Sequence, residues 1–149
     1  MPTTSATAVT SSATAVWEGN LRAGRGQFNG NSGVIKGAYS FSTRFEGAKG
    51  TNPEELIAAA HASCLSMALS GVLEKAGTPP TRITTTASAT IDKAGAGFRI
   101  TRMRLEVRGE VPGVDQAAFA KAAEAAKEGC PVSQALKGNI PFELDARLA

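Results

Sequence analysis

Apolar and polar positions alternate most cleanly near the C-terminus, where Ile140, Phe142, Leu144, Ala146 and Leu148 are separated by Glu143, Asp145 and Arg147. That period of two predicts a half-buried strand. The same period runs through "RITTTASATID", with Ile83, Thr85, Ala87, Ala89 and Ile91 in phase. It recurs in "FRITRMRLEVRGEV", with Met103, Leu105, Val107 and Val111 in phase. Phe98 and Ile100 fall in the opposite phase, which predicts a bulge or a change of face near Thr101.

A different pattern precedes these strands. Leu56 to Leu73 holds 18 residues without a formal charge and predicts a helix. Asn52 suits its cap, Pro53 its first position, and Glu55 stands three after Asn52 as in a capping box. The helix runs to about Ala76, where Gly77, Pro79 and Pro80 stop it. A membrane span needs about 20 strongly apolar residues. This segment instead contains His61, Ser63, Ser66, Ser70 and Gly71, so it reads as a buried core helix. It is apolar almost all round and needs cover on every side, for which a dimer burying it between subunits is the economical answer.

Further on, Asp115 suits the cap of a helix through Phe119, Ala122, Ala123 and Ala126 to Gly129. Cys130-Pro131 opens a short helix, "PVSQAL", ended by Gly138. At the other end, "VWEGNL" starts a strand and is followed by a stretch with seven glycines up to Gly50. Asn29-Gly30 is a hairpin signal, so a small antiparallel meander is expected here. Gly24 and Gly26 fit the start of a dinucleotide fingerprint, but Asn29 stands at its third glycine and no buried strand leads in. Residues 1–14 read as a flexible tail and 15–149 as one domain. Strands, a long helix, a hairpin, two helices and a strand make an α+β fold with mostly antiparallel sheet.

Composition narrows the function. With 42% hydrophobic and 19% charged residues, the 149-residue chain is an ordinary globular one. Net charge is only +3, and Glu106 and Glu110 interrupt the densest basic run, Arg102, Arg104 and Arg108. A nucleic-acid stripe would lack those glutamates, so no nucleic-acid or membrane partner is expected. No secretory signal is visible, and the two cysteines, Cys64 and Cys130, fit a reducing, cytoplasmic location. With His61 they offer three metal ligands, but no paired spacing supports a metal site.

A buried cysteine is more often inert packing than a nucleophile. Three features favour chemistry here. Ala60, one turn before Cys64, leaves space beside the sulfur. Cys130 lies at a helix start, where N–H groups favour a thiolate. Arg44, Glu54 and Glu55 precede the long helix. Glu55 is accounted for by the capping box, whereas Glu54 is left to hold an arginine through a two-pronged hydrogen bond. An ordinary thiol, with a pKa of about 8.5, is only a few per cent ionised at pH 7, and a fixed guanidinium lowers that value. Glu54 and Cys64 are about 80° apart around the helix, so the arginine must come from another segment or subunit. His61, three before Cys64, is a candidate base, although a core histidine bonded to backbone or water is the commoner case.

"TRFEGAKGTNPEELIAAAHASC" and "GCPVSQALK" resemble the OsmC/Ohr family of osmotically inducible and organic-hydroperoxide-resistance proteins, and the lengths between them also fit. "TRFEG" and "AAHASC" are similar to the OsmC branch. The resemblance extends from about Trp17 to the C-terminus. It implies an intertwined homodimer with two long helices enclosed by sheets, and a cysteine-based peroxidase without metal or organic cofactor. Cys64 is then the peroxidatic thiolate and Cys130 the resolving thiol. Arg44 activates Cys64, Glu54 orients Arg44, and Arg25 is the rival for the arginine's role. The substrate is an organic hydroperoxide, and the reductant is a lipoylated protein or another small dithiol. The alternatives are a non-catalytic dimeric module holding a small apolar ligand in an interfacial cleft, and an extracellular domain stapled by a disulfide.

Overall fold

Three short strands open the chain: β1 (Ala13–Glu18), β2 (Arg25–Gly30) and β3 (Lys36–Tyr39). They form an antiparallel meander in the order β1-β2-β3, as the glycine-rich stretch predicts. The computed structural model describes residues 7–149. The first six residues of the expected tail lie outside the described residues, and its last two, Ala13 and Thr14, pair in β1 with Gly30 and Asn29. Asn29 and Gly30 end β2, and the connection to β3 is closed beyond them, with Gly30 N–H donating to the Ile35 carbonyl at 2.7 Å. The glycines have a packing role instead. Gly26 pairs with both Trp17 and Tyr39. A Cβ there would lie 2.6 Å from the Tyr39 ring, so its absence lets the Trp17 and Tyr39 rings meet with centroids 5.6 Å apart.

The sequence reading did not foresee α1 (Phe41–Phe45). Ser40 caps it: its hydroxyl accepts from the Thr43 N–H at 3.2 Å, and the Thr43 hydroxyl accepts from the Ser40 N–H at 2.9 Å. The usual glutamate of such a box is replaced by threonine, which weakened the signal. The chain divides into two compact units, one ending at Asn52 and the other running from Pro53 to Ala149. The sequence offered no boundary there.

The second unit starts with α2 (Pro53–Lys75), whose buried residues Glu54, His61, Leu65, Leu69 and Leu73 form one stripe. The opposite face carries exposed Ala59, Ala60, Ser63 and Met67. By length and composition α2 passes for a membrane span, yet its leucines are packed in the core. It packs on the hairpin of β4 (Arg82–Ala94) and β5 (Gly97–Glu110). Their register slips where Thr90 faces Arg102 and Ile91 faces Ile100, leaving Thr101 as the extra residue. This is the bulge that the change of phase predicted. Below it Met103, Leu105 and Val107 are fully buried, while Arg102, Arg104 and Arg108 lie on the other face among Glu106, Glu143 and Asp145.

Two helices, α3 (Gln116–Gly129) and α4 (Pro131–Leu136), lead to β6 (Phe142–Leu148). Asp115 caps α3, accepting from the Ala118 N–H at 2.8 Å. Phe119, Ala123 and Ala126 form its buried stripe. A Cβ on Gly109 would overlap the Phe119 ring, so that glycine lets α3 approach β5 closely. β6 pairs with β5 in parallel, Met103 facing Phe142. The second sheet, β4-β5-β6, is therefore mixed, and α3 with α4 supplies the crossover that a parallel pair requires.

Candidate active site

The crossover delivers Cys130 to α2. Its backbone is held at both ends: its N–H donates to the Ala126 carbonyl at 2.9 Å, and its carbonyl accepts from the Gln134 N–H at 3.0 Å. It is both the last cap of α3 and the N-cap of α4, with Pro131 fixing the first turn that follows. Cys64 comes from the middle of α2, half-buried next to the leucine stripe, whereas Cys130 is fully buried. The two sulfurs, 66 residues apart in sequence, lie 2.8 Å apart as free thiols.

Their environments differ. Burial pushes the Cys64 thiol above its ordinary range; the hydrogen bond with Cys130 adds to this, and the Val132 N–H only partly offsets it. Burial also pushes Cys130 up, but it is outweighed by the hydrogen bond from Cys64, the N–H and hydroxyl of Ser133 and the Val132 N–H. The net result holds Cys130 below its ordinary value.

His61 lies one turn before Cys64 and is fully buried. Its Nε2 is 2.8 Å from the Ser133 hydroxyl, and the Phe142 ring meets it edge-on with centroids 5.0 Å apart. Burial keeps the imidazole below its ordinary range. The partner of this histidine is thus a side chain, rather than the backbone or water expected from sequence. Its Nδ1 has no hydrogen-bond partner among the described residues.

The other candidates occupy different places. Glu54 is the second residue of α2 and is only 5% exposed. Arg44 belongs to α1 in the first unit, where its guanidinium carbon lies 5.1 Å from the Phe45 ring centre. Beside it is an open cleft of roughly 250 Å³ lined by Trp17, Leu21, Tyr39, Ser40, Phe41, Arg44 and Phe45. Arg25 begins β2 and points to solvent near Glu18, 81% exposed, as a surface ion pair. No cluster of three His, Cys, Asp or Glu side chains among the described residues is arranged to hold a metal ion. Sequence reasoning missed Ser133, whose hydroxyl meets His61 from 72 residues away, a contact that no local spacing signals.

Known proteins resemble this chain over most of its length. The chain is 52% identical over 128 residues to peroxiredoxin OsmC of Escherichia coli, which spans 85% of this chain and 90% of that protein. It is 35% identical over 99 residues to an organic hydroperoxide resistance protein of Xanthomonas axonopodis pv. citri, covering 66% of this chain and 68% of that one. Among solved structures, an organic hydroperoxide resistance protein of Elizabethkingia anophelis superposes with a TM-score of 0.79 at 28% identity, over 97% of this chain and 100% of that chain. OhrB of Bacillus subtilis does so with a TM-score of 0.69 at 28% identity, over 93% and 98% respectively. A family model described as OsmC-like protein matches residues 46–145, and with these relatives it shows that the chain belongs to the OsmC family.

Proposed function

We propose that this chain is a cysteine-based peroxidase that reduces organic hydroperoxides to alcohols. The observation that carries the reading is the pair of free sulfurs 2.8 Å apart. Cys64 is the nucleophile: its thiolate attacks the O–O bond, becomes a sulfenic acid, and releases an alkoxide that takes up a proton. Arg44 is the activating cation for Cys64 in this reading and stabilises the departing oxygen; Glu54 orients Arg44. Cys130 then attacks the sulfenic acid to give a disulfide, which a dithiol such as a lipoylated protein reduces. Free thiols suit the cytoplasm. The aromatic cleft beside Arg44 supports an alkyl or aryl substrate over hydrogen peroxide.

The active form is a homodimer in this reading. The exposed face of α2, with Ala59, Ala60, Ser63 and a Met67 that is 80% exposed, supports it. Small residues let two helices approach closely, and a contiguous apolar patch on an exposed face is the kind of surface that marks an interaction site.

Peroxide consumption in the presence of a dithiol tests the catalytic claim. Cys64→Ser abolishes turnover. Arg44→Ala lowers it by about a hundredfold, the scale of losing one charge-stabilising donor. Cys130→Ser still consumes one equivalent but forms no intramolecular disulfide. Turnover that survives Cys64→Ser would remove Cys64 as the nucleophile, and a wild type without turnover would leave only an apolar-ligand module.

A further inference from the structure

We propose that the reductant enters at Cys64 alone: its thiolate attacks Cys64 Sγ, and Cys130 is the sulfur expelled. The inference rests on the two-thiol reading above and deepens it by assigning a direction to the reductive step.

The burial of α2 and α4 carries it. Cys130 is fully buried in the single chain, and joining a second copy only adds cover, so it stays closed in any assembly. Cys64 is half-buried and stands at the border between two faces of α2. At about 100° per residue, exposed Ala60, Ser63 and Met67 flank it on one side, and buried His61 and Leu65 on the other. Cys130 comes from the buried side. Ser133, three residues after Cys130, is 1% exposed and meets His61, three residues before Cys64, at 2.8 Å. The sulfur contact and this hydrogen bond are adjacent rungs between α2 and α4, and neither rung reaches solvent at its α4 end.

Oxidation leaves this arrangement in place. A disulfide holds its sulfurs about 2.05 Å apart. These stand at 2.8 Å, so roughly 0.8 Å of approach closes the bond. Displacement at sulfur runs in line, so a thiolate that expels Cys130 comes from the far side of Cys64, where Ala60 and Ser63 are exposed. Attack on Cys130 would have to start inside the core. The hydroperoxide must also reach Cys64, so one opening serves both reactants in turn.

The step balances with a dithiol. Its first sulfur, as a thiolate, bonds to Cys64 Sγ; the Cys64–Cys130 bond breaks, and Cys130 leaves as a thiolate that takes up the proton the dithiol released. The dithiol's second sulfur, again as a thiolate, attacks the first. The dithiol's own disulfide forms, and Cys64 departs as the thiolate that begins the next round. Two electrons pass from the dithiol to the protein's disulfide.

Trapping the intermediate tests the direction without a hydroperoxide. Wild type oxidised with diamide is mixed briefly with 2-mercaptoethanol, quenched in acid, unfolded and alkylated with N-ethylmaleimide. Peptide mass spectrometry is expected to find mercaptoethanol on Cys64 and maleimide on Cys130, with the reverse pattern about tenfold rarer. Single-cysteine variants give a second reading. Per thiolate, Cys64 in Cys130→Ser reacts with an aromatic disulfide about a hundredfold faster than Cys130 in Cys64→Ser. Mercaptoethanol on Cys130, or equal rates in the two variants, overturns the proposal. Neither measurement involves a peroxide, so failure of the peroxidase reading would leave both results standing.

Discussion

Burying an imidazole ties stability to pH, and His61 is completely buried with its pKa lowered by that burial. The unfolded chain, with an ordinary histidine value of 6.5, binds the extra proton at a pH where the folded chain does not. The contribution of His61 is therefore fully present above that value and is lost as pH falls through it toward the folded value. Urea unfolding between pH 7.5 and 5.5 is expected to show wild type losing more stability than His61→Gln over this range. The cysteines were legible from sequence because a rare residue at a helix start and another inside an apolar helix stand out. Ser133 was not. Its importance comes from a histidine 72 residues away, and contacts at that distance leave no period to read.

At the scale of elements, periodicity located β4, β5 and β6, the two larger helices and the bulge at Thr101, because each buries one face against a continuous partner. Where the signal came from a turn or a cap, the reading was weaker. Asn29-Gly30 pointed to the right hairpin but lies before its turn, and α1 starts on a threonine variant of the capping box. The parallel pairing of β6 left no mark, since alternation records which face is buried and not which way the neighbour runs. α2 is the element whose pattern exceeds what one chain covers: it is apolar all round, yet Met67 is 80% exposed. If that face meets a second copy, Met67→Glu places a charge in the apolar contact. Sedimentation is expected to show the variant as a monomer where wild type is a dimer; a wild-type monomer would remove the dimer from the proposal.

For the whole molecule, the sequence identified the family but not the division at Asn52, because no change in composition accompanies it. The largest consequence for the whole chain comes from the sulfurs at the crossover. A bond between Cys64 and Cys130 closes a loop spanning 66 residues. Chain entropy makes such a closure worth about 4 kcal/mol against unfolding, a rise of roughly 10 °C in melting temperature for a chain of this size. Melting with and without excess dithiol is expected to show this difference in wild type and none in Cys130→Ser. In the proposed cycle each round thus alternates a tougher molecule with a softer one. A chain waiting for its reductant resists heat and proteases best, so an idle, oxidised pool would outlast a working one.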